Sequence, residues 1–173
     1  RTLMIANGVT RIGDYSFYRC SNLGNINIPD SVTIIGSYVF GQCSSIADIR
    51  VPDSVIYIGD NTFGYCANLT TVRLSDSMTY IPENLFWGCA KLTEIDIPSK
   101  VTAIDNSAFS CCNSLGSVDL PDGLTTIGDH AFSYCESLKS IYIPDSASYI
   151  GNSILDNCIS LTDVRLPDEM TEI

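Results

Sequence analysis

The stretch Cys43-Ser44-Ser45-Ile46-Ala47-Asp48-Ile49-Arg50-Val51-Pro52-Asp53-Ser54-Val55-Ile56-Tyr57-Ile58-Gly59-Asp60-Asn61-Thr62-Phe63-Gly64-Tyr65-Cys66 reads as one structural unit. Ile49 and Val51 alternate with Asp48 and Arg50, the period-two pattern of a strand. Pro52 removes a backbone donor and ends the strand. Val55 and Ile58 form a second apolar pair, and Gly59 marks a turn. Phe63 and Cys66 then lie three apart, like one face of a short helical turn.

The unit recurs along the whole chain. Cys20, Cys43, Cys66, Cys89, Cys112, Cys135 and Cys158 are each 23 residues apart, and only Cys111 is off this grid. The strand phrase returns from Ile26-x-Ile28-Pro29 to Val164-x-Leu166-Pro167, with Leu3-x-Ile5 upstream. The second apolar pair runs from Val9/Ile12 to Met170/Ile173. Phe17, Phe40, Phe63, Phe86, Phe109 and Phe132 form an aromatic ladder that ends in Leu155. After the turn come Asp14, Ser37, Asp60, Asn106, Asp129 and Asn152, types favoured as helix N-caps, with Glu83 departing. The pattern therefore predicts strand, turn, short extended segment and capped helical turn, repeated about 7.5 times. One such unit cannot bury its apolar face alone, so neighbours must stack. Parallel strands about 4.8 Å apart give a quasi-one-dimensional array.

Composition agrees with a folded chain. The 173 residues are 45% apolar, which excludes global disorder. Nine Lys+Arg against 20 Asp+Glu give a net charge of −11. That balance argues against nucleic acid or an anionic membrane as a partner. No apolar run approaches the length of a membrane-spanning helix.

The full consensus is Cys-x-x-Leu-x-x-Ile-x-Ile-Pro-Asp-x-Val-x-x-Ile-Gly-x-x-x-Phe-x-x-Cys. It resembles the BspA-like (treponemal-type) leucine-rich repeat family over essentially the whole chain, with local departures at Ser75, Asp105, Ala147 and Leu155. The resemblance implies an α/β solenoid: a right-handed leucine-rich-repeat superhelix. It places a concave parallel β-sheet on one side, with short strands and helical turns on the convex side. Residues 1–173 then form one domain. The chain enters at Leu3 in mid-repeat and stops at Ile173 before the next glycine, Phe and Cys. A fragment of a longer array is the expectation, with end-to-end self-association as a property of uncapped ends. The family also implies cell-surface or secreted proteins with adhesion and partner-binding roles. A structural spacer without a ligand, or a receptor ectodomain, are the alternatives.

An even cysteine count invites a disulfide reading. The grid points instead to a ladder of seven buried free thiols. Stacked equivalents sit near the strand spacing, whereas a disulfide needs Cβ atoms about 3.8 Å apart. There is no Cys-x-x-Cys for zinc, and no metal or cofactor is expected. Cys111 stands at the position of Arg19, Gln42, Tyr65, Gly88, Tyr134 and Asn157, and is the one thiol expected to react. The single histidine, His130, falls with Tyr15, Tyr38, Asn61, Asn84, Ser107 and Ser153 at solvated positions. Cys135 should face inward, so no Cys–His couple and no enzyme activity is expected.

Asp30, Asp53, Asp76, Asp122, Asp145 and Asp168 recur directly after the strand. Each is expected to accept hydrogen bonds from its own turn, in preference to binding cations. Asn68-Leu69-Thr70 is a glycosylation acceptor sequence.

Two surfaces remain for a protein partner. The outward strand column contains Asn27, Arg50, Arg73, Asp96, Asp119, Tyr142 and Arg165, and Arg and Tyr are enriched in binding hot spots. The alternative is a convex apolar stripe of Ile34, Tyr57 and Tyr80, with an exposed Trp87 as a weaker candidate.

Overall fold

The structure, a computed structural model, describes residues 1–168. Met170 and Ile173, the last apolar pair of the repeat, lie outside the described residues. The chain winds into a parallel β-solenoid of about seven turns. The described residues form thirteen short strands. β1 (Thr2–Met4), β3 (Asn25–Asn27), β5 (Asp48–Arg50), β7 (Thr71–Arg73), β11 (Ser140–Tyr142) and β13 (Asp163–Arg165) are the first strands of their turns. The second strands are β2 (Arg11–Ile12), β4 (Ile34–Ile35), β6 (Tyr57–Ile58), β8 (Tyr80–Ile81), β9 (Ala103–Ile104), β10 (Thr126–Ile127) and β12 (Tyr149–Ile150).

All pairing is parallel, and partners are separated by one repeat: Ile49 faces Val72, and Ile34 faces Tyr57. First strands pair in twos, β1–β3, β5–β7 and β11–β13. Between the last two pairs, Asp96 and Asp119 meet as a lone parallel bridge. Like charges directly opposite one another weaken such pairing. The second strands make longer sheets, β2-β4-β6 and β12-β10-β9-β8.

The predicted helical turn is not formed, and the described residues contain no helix. The N-cap assignment falls with it. A third row of inter-turn hydrogen bonds takes its place. Tyr15, Phe17 and Arg19 donate their N–H groups to the carbonyls of Ser37, Val39 and Gly41 in the next turn. Ser16, Tyr18 and Cys20 donate within their own turn, three residues back. The alternation requires left-handed backbone at two residues per turn, such as Tyr15 (φ 57°), Arg19 (φ 60°), Ser107 (φ 53°) and Cys111 (φ 60°). A non-glycine residue there costs about 1–3 kcal/mol. The hydrogen bonds offset that cost by satisfying backbone groups that stacking would otherwise bury unpaired. The Asp and Asn side chains read as caps act across turns instead. Asp14, Asn106 and Asp129 accept from the backbone N–H of Ser37, Asp129 and Asn152 in the following turn. The donor direction differs between faces. On the second strands Thr33 and Gly36 donate back to Thr10 and Ile12, whereas on the turn row the donors reach forward.

A single core fills the solenoid. Phe17 to Phe132 stack nearly parallel, with successive ring centroids 5.2–5.9 Å apart. Beside them runs the thiol ladder. Cys43 donates to the Phe17 carbonyl at 3.1 Å, and the arrangement repeats through Cys158 on Phe132 at 3.2 Å. Six of the seven grid cysteines are buried, and Cys20 is exposed. Its equivalent acceptor would lie 26 residues earlier, before residue 1.

The repeat glycine is required by space. A Cβ on Gly59 would sit 2.5 Å from both the backbone nitrogen and the hydroxyl of Ser37 in the preceding turn. At Gly116 a Cβ meets nothing within 4 Å. Gly59→Ala is therefore expected to destabilise by about 1–3 kcal/mol in urea unfolding, the usual range for forced overpacking. Gly116→Ala should shift the midpoint far less.

Candidate interaction surface

The strand column is built by alternation. Ile49, Val72, Val118 and Ile141 point into the core, so their successors point out. Asn27, Arg50, Arg73, Asp96, Asp119, Tyr142 and Arg165 are all exposed, Tyr142 at 57%. The register sets Arg50 beside Arg73, Asp96 beside Asp119, and Tyr142 beside Arg165. Along the array the face is therefore segregated into a cationic pair, an anionic pair, and a tyrosine with an arginine.

Arg73 forks onto Asp53 at 3.1 and 3.2 Å and reaches Asp76 at 3.5 Å. Arg165 reaches Asp145 at 3.3 Å. The guanidinium of Arg73 holds the Asp53 carboxyl below its usual range, helped by the N–H of Asp76. Two of the turn aspartates thus act across turns. Asp53 and Asp145 accept from the N–H of Asp76 and Asp168 in the next turn, rather than from their own turn. Shallow clefts separate the column from the Pro-Asp turns. One, of about 550 Å³, is lined by Asn27, Asp30 and Arg50. Another, of about 390 Å³, is lined by Asp119, Asp122, Tyr142 and Arg165. Among the described residues no group of three His, Cys, Asp or Glu side chains is arranged to hold a metal ion.

The alternative stripe is less outward than expected. Tyr57 is 44% exposed, but Ile34 and Tyr80 are half-buried. The Tyr57 and Tyr80 rings lie 6.5 Å apart and tilted. Burial, with Tyr57 and Asp60 nearby, pushes the Tyr80 phenol up to about 12. Trp87 is also half-buried, tilted against Tyr65 at 4.8 Å.

A further cluster escaped the sequence reading. Tyr15 and Tyr38 stack at 4.8 Å, and Tyr18 packs edge-on to both. Arg19 lies over the Tyr18 ring at 5.1 Å and donates to Gln42, which donates to the Tyr18 hydroxyl. The signal was available: two tyrosines one period apart, with a third on the same turn. Tyr15 and Tyr38 stand at positions expected from the repeat to be solvated.

His130 is exposed, while Cys135 is buried with its thiol on the Phe109 carbonyl, so they form no couple. Burial pushes the Cys43 thiol up to about 11 and the Cys89 thiol to about 12. Cys111 is partly exposed and Cys20 exposed, so two thiols rather than one should be reactive. A maleimide at pH 7 is expected to label these two sites natively and all eight after unfolding in reductant, counted by intact mass. Native labelling of Cys66 or Cys112 would contradict the burial.

Asp105 replaces the repeat glycine beside Asp60 and Glu83. Partial burial, then the two neighbouring carboxylates, raises its pKa above 3.8. A raised acid means the native state holds the proton more tightly than the unfolded chain, so stability falls as pH rises through and beyond the ordinary value. Asp105→Asn is expected to raise the thermal midpoint at pH 7, with the gain vanishing near pH 3.

Three parallel rows of inter-turn bonds around a Leu/Ile, Phe and Cys core define a leucine-rich-repeat solenoid. The sequence matches the BspA type leucine rich repeat region, in six copies, over residues 1–115 and 102–173. The chain belongs to that family. It is similar to a leucine-rich repeat protein from Bacteroides ovatus, with 31% identity, a TM-score of 0.73, and coverage of 94% of this chain and 54% of that one. It is similar to the leucine rich repeat protein TpLRR of T. pallidum, with 26% identity, a TM-score of 0.75, and coverage of 96% and 69%. A leucine-rich repeat protein from Eubacterium ventriosum gives 27% identity, a TM-score of 0.86, and coverage of 98% and 45%. The chain thus spans about half the length of the first and third. No curated protein matches it.

Proposed function

We propose that this chain is a non-catalytic protein-recognition module of a surface-exposed or secreted protein. Its binding face is the first-strand column. The observation that carries the reading is the exposed polar face itself. Seven successive turns present Asn27, Arg50, Arg73, Asp96, Asp119, Tyr142 and Arg165 as one exposed row, varied in chemistry over an invariant core. Repeat arrays bind along the extended surfaces that their stacking creates. Tyr142 and the arginines are hot-spot types, and the clefts beside them give a partner's side chains somewhere to enter. The surface location rests on the family's character. The partner is a protein of the host, the matrix or another cell surface.

The test is an array of extracellular-matrix and cell-surface proteins probed with the wild-type chain and with an alanine block at Arg50, Arg73, Tyr142 and Arg165. Partner binding should fall at least tenfold in the block while the thermal midpoint stays within a few degrees. Binding that survives this block but is lost on substituting Ile34, Tyr57 and Tyr80 would move the site to the second-strand stripe. An array with no partner at all would favour the spacer role.

A further inference from the structure

The order of charges along the first-strand face has a symmetry. Read by turn, the column runs Asn27, Arg50, Arg73, Asp96, Asp119, Tyr142. A two-fold axis parallel to the strands, passing between the levels of Arg73 and Asp96, reverses the order of turns and keeps each column facing itself. Arg73 then meets Asp96 of a second copy, Arg50 meets Asp119, and Asn27 meets Tyr142. The four central charges each face their opposite, twice over, while Arg165 at the end of the row meets Met4. The neighbouring outward column obeys the same operation without conflict: Thr71 meets Glu94, Asp48 meets Ser117, and Asn25 meets Ser140. The other in-plane axis, parallel to the solenoid, would pair Arg50 with Asp48 and Arg165 with Asp163 but bring Asp96 onto Glu94. Only the first arrangement leaves both columns free of a like-charge contact.

The same pattern is unfavourable within a single chain. Arg50 opposite Arg73 and Asp96 opposite Asp119 are like-charge neighbours on adjacent turns, an arrangement that costs sheet stability. Alternating signs would have stabilised the isolated array. Arg73 is compensated by Asp53 and Asp76, while the described residues give Arg50, Asp96 and Asp119 no ion pair.

We propose that this face also takes a second copy of the chain, in a two-fold, antiparallel, face-to-face dimer joined by Arg50–Asp119 and Arg73–Asp96 pairs. This deepens the recognition reading above and rests on the same column being the binding face. An isologous interface of this kind requires a self-complementary patch, and the (+ + − −) order is one. The contact is small. Seven turns about 4.8 Å apart and three residues of about 3.3 Å give roughly 34 by 10 Å on each copy. That lies below the roughly 800 Å² per partner of a standard stable interface, so the dimer is weak and forms at high local concentration. At the rim Asp53 comes opposite Asp122 and Asp30 opposite Asp145, and each copy carries −11 overall. Both oppose association, so affinity depends on the four central pairs. At 0.1 M salt, repulsion between charges beyond about 10 Å is largely screened, and contact pairs are screened less.

Analytical ultracentrifugation of the wild-type chain from about 10 µM to 1 mM at 0.1 M salt tests this. The mass should rise from 18.8 kDa towards twice that value. Asp96→Lys with Asp119→Lys makes the four central charges cationic, and Arg50→Glu with Arg73→Glu makes them anionic. Each double variant should remain monomeric, folded by circular dichroism, and an equimolar mixture of the two should recover the doubled mass. A wild type that stays monomeric at 1 mM overturns the second copy as partner. If array binding is then still lost in the alanine block, the recognition face itself stands. Dimerisation unmoved by either double variant, or a mixture no heavier than its parts, overturns the proposed arrangement.

Discussion

The fold depends on one constraint: each turn must present its neighbours with the same set of backbone groups at the same height. Parallel pairing one repeat apart meets it on the two strand rows, and the forward hydrogen bonds from Tyr15, Phe17 and Arg19 meet it on the third. Close axial approach follows. It leaves no room for a Cβ at Gly59 and brings the phenylalanine rings within 6 Å of their equivalents. It also places each thiol against the carbonyl of the preceding turn's phenylalanine. The cysteine acts as a small, apolar filler with one weak donor. Serine would be smaller and more costly to desolvate at a position with no exposure.

Much of this was legible because side-chain periodicity reports burial. The spacing of Ile49, Val51, Val55, Ile58, Phe63 and Cys66 located the core, the strands and the turn count. What periodicity could not distinguish was a helical turn from a tight, hydrogen-bonded turn with the same three-residue spacing. Phe63 and Cys66 face inward in both. The deciding variable is the sign of φ at residues such as Asn61 and Tyr65. Several turns hold tyrosine, serine or cysteine there, types that give little hint of left-handed backbone. The aspartates were misassigned for a related reason. Asp14 and Asp53 have the right chemistry for local capping, but their oxygens accept from the next turn's N–H.

The outward column was legible as a row but not as an electrostatic pattern until its register was fixed. Sequence placed Arg50 and Arg73 one period apart, and the strand pairing made them direct neighbours. The tyrosine cluster around Tyr15 was not found because it crosses two turns and two columns. Cys111 is half-buried at the left-handed position just before the buried Cys112, and Cys20 is exposed.

The opposed donor directions on the two faces have a consequence for size. Each peptide unit carries a dipole of about 3.5 D, and a helix aligns these so that charge accumulates at its ends. Here the amides flanking the second strands, such as Thr33 and Gly36, point back along the stack, while Tyr15, Phe17 and Arg19 point forward. These dipoles oppose one another. Each added repeat therefore brings amide dipoles of both senses, where an added helical turn brings one sense alone.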